Sequence, residues 1–502
     1  MQDPHRIPVL VGVGQVRGNR DRTVDGAREP AELMLDALHL AAQDAGDSRL
    51  LHDADSIDTV NVVSWIYDDL PGLLADRLGA QLKHQFASPV GGQWPARLLD
   101  EVAARVALGE SRIALLAGGE AQSSTGVLAK AGMDPVTERG WSAEPGGPPA
   151  FDANLLGSAQ AQAAGLIFPT RVYPLFENRL CYELGQTPAE ANEWSAQLYA
   201  DFSRVAARNP VAWNPVARSA TDIATVGPDN RMVCEPYPLA MNAMPHVDQA
   251  AAVIVTSLAT AREYGIPDDR VVYVWGGAGA DESATFLHRD GFGGSPAMAS
   301  TMGRTLGNAG VRAEDLDLVD VYSCFPVVPK LACLALGLPH DASLTVTGGH
   351  SSFGGPMNSY TLFSVVAVAQ RLRAGGGLAL VHGNGGFVTY QHALLLSDTP
   401  HAEGYVGQPD PVAITPTAAP QLVPAVSGEV TVETATVEHG RDGQPAIGFL
   451  IGRTGERHRM AAQTAPGDIA SARALSLDHG ETVGRTVNLT VDGGYAGITE
   501  QR

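Results

Sequence analysis

The sequence has few cysteines, few basic residues and no long apolar run, and each shortage argues against a class of protein. Its four cysteines, Cys181, Cys234, Cys324 and Cys333, show neither metal-ligand spacing nor a dense disulfide pattern. With 34 basic against 55 acidic residues the formal charge is −21. This argues against nucleic acid or an anionic membrane surface as a partner, because phosphates attract clustered Lys and Arg. No apolar run reaches about 18 uninterrupted residues, so no membrane span is expected. We expect a protein of the reducing cytoplasm without a resident cofactor or metal.

The chain repeats itself at a spacing of about half its length. Residues 102–119 align without a gap on residues 368–385, and both segments predict a helix, a glycine break and a buried strand that ends in glycines. The match continues upstream, where residues 57–64 parallel residues 316–323. A repeat this long indicates two domain-sized halves that pack on each other. We therefore predict a duplicated α/β body in which helices cover mostly parallel sheets.

The two halves differ by one large insertion. The N-terminal half is predicted at residues 1–121 and 246–268, and residues 122–245 form an inserted loop domain between its last two strands. The C-terminal half is predicted at residues 269–400, where the corresponding strands are nearly adjacent. Large insertions at strand ends usually form substrate-covering structure rather than core.

The composition changes after the second half. Residues 401–420 are proline-rich and predict a linker, and residues 421–502 contain short runs of period-two alternation separated by glycines. This pattern is typical of a small β-barrel, for which an OB-like barrel is the expected form.

This organisation and several local strings resemble the thiolase superfamily, in particular its sterol-carrier-protein-thiolase-like, or acetyl-CoA acetyltransferase-like, branch. Residues 242–252 (NAMPHVDQAAA) are similar to the family's N-A-S-G-x-x-D-G-A-A-A, and residues 323–325 (SCF) to the end of its H-D-C-F. Residues 354–356 (GGP) stand where G-H-P is expected, and residues 382–386 (HGNGG) where C-x-G-G-G is expected. The resemblance covers about residues 5–400. It implies a layered α/β/α/β/α fold and an acyltransferase that works on coenzyme A thioesters.

The same resemblance implies that the family's catalytic residues are missing. Thiolases use a cysteine thiolate at the start of a buried helix, where the helix N-terminus stabilises the anion that accepts the acyl group. That position falls near Gly92, and no cysteine occurs before Cys181. Gly355 stands at the histidine of G-H-P, His382 at the second cysteine, and Tyr322 at the histidine of H-D-C-F. Claisen chemistry by the family route is therefore not expected.

Four side chains are the candidates for relocated catalysis: His382, His350, Cys324 and Tyr322. His382 could act as a general base or could be a buried histidine bonded to the backbone. His350 could also act as a general base, or could be a polar loop residue without a chemical role. Cys324 could be a nucleophile or a small buried apolar residue. Tyr322 is a poor base because the ordinary pKa of a phenol is about 10, so we expect it to fill space and make a hydrogen bond.

Ligand contacts are expected beside these residues. Met244 falls on the family serine that lies beside the pantetheine arm of coenzyme A, and with Pro245 it could line an acyl tunnel or simply pack in the core. Glycines let backbone N–H groups approach a thioester oxygen. The expected substrate-binding residues are Met244, Pro245, Gly354, Gly355, Asn384 and Gly385, and no metal site is expected.

Two functions of different classes follow from these observations. The first is a thiolase-like protein of lipid metabolism that binds coenzyme A or acyl-CoA, with lost or altered Claisen and thiolysis chemistry; relocated catalysis by His382, His350 or Cys324 is a variant of it. The alternative is a non-catalytic scaffold or carrier whose C-terminal β domain recruits a lipid-metabolic protein partner. Either a monomer or a homodimer is expected.

Overall fold

The computed structural model describes residues 3–143, 146–147 and 157–500. Parts of the predicted insertion and both chain ends lie outside the described residues.

The first half alternates strands and helices, as the sequence predicts. Its elements are β1 (Pro8–Arg17), α1 (Pro30–Ala45), α2 (Arg49–His52), β2 (Ser56–Thr59), α3 (Leu70–Leu78), β3 (His84–Ala87), α4 (Trp94–Leu108) and β4 (Ile113–Ala121). Helix α4 ends at Gly109, whose positive φ of 74° lets its N–H bond back to the carbonyls of Arg105 and Val106.

The insertion is mainly helical and precedes the last strand of the first half. It contains α5 (Gln122–Ala131), α6 (Pro135–Arg139), α7 (Ala159–Ala163), α8 (Pro169–Glu183), α9 (Pro188–Ala206), α10 (Ala220–Ala224), β5 (Met232–Cys234) and β6 (Tyr237–Pro238). The chain then returns through β7 (Asp248–Ser257) and α11 (Leu258–Glu263). Thr187 and Glu190 form a capping box that fixes the start of the long helix α9.

The second half repeats the order of the first. Its elements are β8 (Val272–Asp281), α12 (Pro296–Asn308), β9 (Leu318–Asp320), α13 (Val327–Leu336), α14 (Tyr360–Gly375), β10 (Leu378–Gly385) and β11 (Tyr390–Ser397). The aligned segments 102–119 and 368–385 are thus α4 with β4 and α14 with β10, which confirms the duplication.

The strands of both halves form one path, β3-β2-β4-β7-β1-β8-β11-β10-β9. Among the described strands, two residue pairs join the sheets of the two halves, Val9 with Tyr273 and Leu10 with Val272. Helices α4 and α14 contact each other and strands of both halves, α1 covers β1, β7 and β4, and α12 covers β8 and β11. The result is the expected order of layers, with the two duplicated helices in the middle.

The prediction of mostly parallel sheets is wrong for the centre of this path. Parallel pairing occurs between β2 and its neighbours β3 and β4, and between β9 and β10. The last strand of each half is antiparallel: β7 to β4 and β1, and β11 to β10 and β8. Strand β11 follows β10 after a short turn, and a hairpin connection forces antiparallel pairing.

The predicted linker contributes to the body. Residues 408–413 form β12 (Gln408–Ala413), which pairs in parallel with β8. Just before it, Tyr405 Oη donates to Oδ1 of the fully buried Asp100 in α4 at 2.7 Å. The same oxygen accepts from Gly277 N at 3.0 Å. One buried carboxylate therefore joins α4, β8 and the linker.

The C-terminal domain is a separate antiparallel sheet. It contains β13 (Gly428–His439), β14 (Pro445–Thr454), β15 (Arg459–Gln463), α15 (Ile469–Arg473), β16 (Thr486–Asp492) and β17 (Tyr495–Glu500), in the spatial order β15-β14-β13-β16-β17. Among the described strands, β15 and β17 are not paired with each other, so a closed OB-like barrel stays a prediction.

The insertion and the C-terminal domain share this sheet. Strand β5 pairs with β13 through Cys234 and Glu438. Asn178 of α8 donates to the carbonyl of Ala435 at 2.8 Å, and Arg171 pairs with Glu438 at 2.6 Å. Within the described helices, none is both long and apolar enough to cross a lipid bilayer.

Candidate active site

Gly92, where the sequence predicts the family nucleophile position, lies just before α4 and against another side chain. Gly92 is buried. A Cβ added there would lie 2.6 Å from Cζ of Tyr322 and 2.6 Å from the carbonyl oxygen of Asn384. The Tyr322 hydroxyl approaches the carbonyl of Met357 at 3.4 Å, and burial raises the pKa of Tyr322 well above its ordinary value. The phenol therefore occupies, in neutral form, the space that a nucleophilic side chain would need.

His350 lies against this tyrosine, in a π-helical turn at Gly349–Phe353. Its ring centroid is 4.2 Å from that of Tyr322 and 3.6 Å from that of Tyr360. Its Nδ1 lies 3.2 Å from Oγ of Ser323, whereas its buried Nε2 has no hydrogen-bond partner among the described residues. Burial lowers the pKa of His350 well below its ordinary value. His350 is therefore a neutral imidazole that stacks on Tyr360 and packs at a tilt against Tyr322.

The loop that follows His350 binds the Met244 backbone. Met244 N donates to the carbonyl of His350 at 3.1 Å, and Gly355 N donates to the carbonyl of Met244 at 2.9 Å. Gly354 has a positive φ of 128°, which favours glycine. Met244 and Pro245 are only partly buried, in contrast to the glycines beside them. We call the partly buried Met244 and Pro245 the mouth of the site and the buried Gly92 and Tyr322 its floor.

His382 belongs to a chain of buried polar side chains on β10 and β11. Its Nε2 lies 2.8 Å from Oε1 of Gln391, whose Nε2 donates to Oδ1 of Asn384 at 2.8 Å. Asn384 in turn donates to Tyr173 Oη at 3.1 Å, and Tyr173 to the carbonyl of Gly386 at 2.8 Å. Burial lowers the pKa of His382 to about 4. Its partner is thus a side-chain amide, not the expected backbone group.

Cys324 is buried between the pair of His350 and Tyr322 and the chain of polar side chains that begins at His382. Burial raises the pKa of its thiol to about 12, so the thiol is protonated at neutral pH and is a poor nucleophile. The next residue, Phe325, stacks on Tyr173 with ring centroids 4.7 Å apart. The environment of Cys324 is that of a small buried side chain.

The sequence did not point to several residues that hold the floor in place. Asn358 accepts from Gly91 N at 3.0 Å and donates to the carbonyl of Asn61 at 3.1 Å. Thr361 Oγ1 donates to the carbonyl of Gly92 at 3.1 Å. Asp320 accepts from Val346 N at 2.7 Å and from Thr347 N at 2.8 Å, which anchors the loop that leads to His350. Of these residues, only Asp320 carried a sequence signal, as a carboxylate at the end of a predicted strand.

Contacts thus connect Met244 to His350, His350 to Tyr322, and Tyr322 to Gly92, which lies against the backbone of Asn384. Tyr322, Cys324, His350 and His382 are all in their neutral forms at pH 7. Among the described residues, no three His, Cys, Asp or Glu side chains converge to hold a metal ion.

Comparisons with known proteins agree with this architecture. A sequence profile described as "Thiolase-like protein type 1 additional C-terminal domain" matches residues 409–494. A crystal structure described as a monomeric SCP2-thiolase like protein type 1 from Mycobacterium smegmatis superposes with a TM-score of 0.81 at 28% identity, covering 100% of both chains.

Sequence relatives are more distant. An acetyl-CoA acetyltransferase of Methanothermobacter thermautotrophicus is 26% identical over 236 residues, which is 44% of this chain and 58% of that one. Another, from Methanocaldococcus jannaschii, is 26% identical over 163 residues, which is 32% of this chain and 39% of that one. These alignments therefore cover well under two thirds of the relatives' own lengths.

The duplicated layered body and its structural neighbours define a thiolase-like fold. Along its full length the chain is similar to the SCP2-thiolase-like protein type 1 of Mycobacterium smegmatis, and its C-terminal domain matches the additional domain of thiolase-like proteins of type 1.

Proposed function

We propose that this protein binds coenzyme A or an acyl-CoA at the mouth of the site and does not carry out thiolysis or Claisen condensation by the family route. The observation that carries the proposal is the Tyr322 ring in the space beside Gly92. Such a protein is an acyltransferase by descent only, and lipid metabolism is the setting that its relatives suggest.

The absence of chemistry follows from the state of the buried groups. Acyl transfer through a covalent intermediate needs a thiolate within reach of the thioester and an acid–base partner with a pKa near neutrality. Burial pushes the pKa of Cys324 up to about 12 and that of His382 down to about 4. At pH 7 the Cys324 thiol is therefore protonated and a poor nucleophile, and His382 is a neutral imidazole whose low pKa makes it a weak base.

Retained binding is supported by the exposure of the mouth. Met244 and Pro245 are partly exposed, whereas Gly355, whose N–H donates to the carbonyl of Met244, is buried. A pantetheine arm can pack on the exposed part of Met244 without displacing Tyr322 from Gly92.

Calorimetric titration of coenzyme A and acetyl-CoA into the full-length protein tests the proposal, together with a thiolysis assay on the same sample. We expect saturable binding without turnover. Met244→Asp should weaken binding by about tenfold, because it places a carboxylate beside an anionic ligand. Val426→Asp is the matched control, since Val426 is 45% exposed on the C-terminal domain.

The outcomes separate the alternatives. No binding at millimolar ligand would refute the proposal. Turnover that disappears in His382→Ala or His350→Ala, with the fold intact, would show relocated catalysis instead. Equal loss of binding in both aspartate variants would mean that the effect is general charge repulsion and not contact at Met244.

A monomer is the proposed oligomeric state. The relative that covers the whole chain is described as monomeric, and here the C-terminal domain packs on the insertion of the same chain. Light scattering coupled to size exclusion measures the mass directly, and a dimer at micromolar concentration would contradict this part of the proposal.

A further inference from the structure

A second cleft lies on the other side of the loop that carries His350. Its volume is about 550 Å³, and it is lined by four parts of the chain: Gln15 of β1, the end of α9, one face of α14, and β9 with the loop beside it. None of the residues predicted to contact coenzyme A lines it. Clefts of this size at the meeting of structural units are common sites for small ligands.

Two arginines at this cleft have no partner. Arg208 follows α9 and Arg371 lies on α14, and neither guanidinium donates a hydrogen bond to a described residue or forms an ion pair with one. Their neighbours in sequence differ: Arg204 pairs with Asp201, and Arg373 with Asp44. Two unpaired guanidinium groups at one cleft stand out in a chain whose net charge is −21.

The remaining polar groups of the cleft leave these arginines available. Asp317 is the acidic residue of the lining, and its Oδ2 already accepts from Leu378 N at 2.9 Å. Gln370 and Ser343 add hydrogen-bonding groups at the exposed rim. A ligand that completes this site must therefore bring negative charge, because a guanidinium binds planar carboxylate or phosphate oxygens in a bidentate manner.

We propose that this cleft binds a small organic anion through Arg208 and Arg371, at a site distinct from the thiolase-type pocket. Carboxylates and phosphates share the required chemistry, and the volume admits a molecule of metabolite size. The site also adjoins the loop of His350, because Thr345 of its lining accepts from Thr347 N at 3.2 Å and from Gly348 N at 2.9 Å.

Calorimetry on the full-length protein tests the proposal, with citrate and inorganic phosphate as separate probes. We expect saturable binding of at least one probe, weakened by added sodium chloride because exposed charges are screened. The double variant Arg208→Gln/Arg371→Gln should weaken binding by about tenfold or more. Arg371→Lys should have an intermediate effect, since lysine keeps the charge and loses the bidentate geometry.

Arg441→Gln is the control, because Arg441 is an exposed arginine that lines a different cleft on the C-terminal domain. Thermal unfolding shows whether each variant keeps its fold. Preference for citrate or for phosphate identifies the anion class. Failure of both probes to bind at about 20 mM, or equal weakening by Arg441→Gln, would overturn the proposal. Because coenzyme A is titrated separately into Met244→Asp, failure of this site leaves the test of the other pocket intact.

Discussion

One methyl group added at Gly92 should measurably destabilise the protein. The new Cβ would lie 2.6 Å from Cζ of Tyr322 and 2.6 Å from the carbonyl oxygen of Asn384, whereas carbon atoms in contact normally lie about 3.5 to 4.0 Å apart. Overpacking a core costs about 1–3 kcal/mol. The Asn384 carbonyl belongs to the paired strand β10 and cannot turn away. We therefore expect Gly92→Ala to lower the free energy of unfolding by about 2–3 kcal/mol.

A double-mutant cycle shows whether Tyr322 is responsible. Tyr322→Ala alone should cost about 3–5 kcal/mol, because it leaves a cavity in a buried site. In the double variant the new methyl group no longer meets the ring, so the combined cost should fall short of the sum by about 1–2 kcal/mol. Additivity within about 0.5 kcal/mol would refute the conclusion that the tyrosine fills the nucleophile position.

Urea unfolding followed by tryptophan fluorescence measures these differences, and Trp94 at the start of α4 places a reporter beside the substitution. Gly126→Ala is the matched control. Gly126 is exposed within α5, and a Cβ there meets nothing within 4 Å. Since alanine is the better helix former, that control should gain up to about 1 kcal/mol. A comparable loss in the control would mean that packing at Gly92 is not what the assay reports.

Three further predictions concern buried ionisable groups. Lys330 is fully buried and donates to Glu177 and to a backbone carbonyl. Lys330→Met should lower the free energy of unfolding in urea by about 3–5 kcal/mol, because it leaves the buried carboxylate of Glu177 without its charged partner. Burial lowers the pKa of His439, but its hydrogen bond to Glu235 at 2.7 Å and the charge of Glu235 outweigh burial and raise the pKa overall. The stabilisation that results is complete below about pH 6.5 and is lost as the pH rises through the raised pKa. His439→Gln should therefore make thermal stability less dependent on pH over this range. Cys324, whose pKa burial raises to about 12, should resist iodoacetamide at pH 8 in the folded protein and react once urea unfolds it.

Each of these predictions has its own control. Adding Glu177→Gln to Lys330→Met should restore part of the lost stability, since it removes the stranded charge; no recovery would contradict a charge penalty. His246→Gln, at an exposed histidine, should leave the pH dependence unchanged. Alkylation of Cys324 at the same rate before and after unfolding, measured by mass spectrometry of its peptide, would contradict its burial.

The fold was largely predictable because duplication leaves a pattern that needs no knowledge of contacts. The segment at residues 102–119 repeats at 368–385 since α4 and α14 have the same surroundings in the centre of the molecule. Strand direction was not predictable in the same way. Periodicity predicts that Tyr390–Ser397 is a strand, but its antiparallel direction depends on the turn that joins it to β10.

The site was predictable only in part. The local strings and the order of elements predict that Gly92 stands at the position of the family nucleophile, but they could not show that the Tyr322 ring lies against it. Tyr322 comes from the other half of the chain. It meets Gly92 only because the end of β9 and the start of α4 lie next to each other in the folded protein. For the same reason the sequence could not predict the role of Asn358, which belongs to the second half and accepts a hydrogen bond from Gly91 of the first half. Contacts between distant segments leave no periodic pattern in a single sequence.

The integration of the C-terminal region decides how a scaffold function can be tested. Deleting residues 405–502 would remove Tyr405 from the buried Asp100, β12 from β8, and β13 from β5. Such a deletion should unfold part of the body, so loss of a partner after it would say nothing about docking.

Tyr495→Lys on the edge strand β17 is a better perturbation, because Tyr495 is 40% exposed and β17 pairs only with β16 among the described strands. A purified partner that binds the wild type and not this variant, with thermal stability unchanged, would support the scaffold function; equal binding by both proteins would argue against this edge as the docking surface.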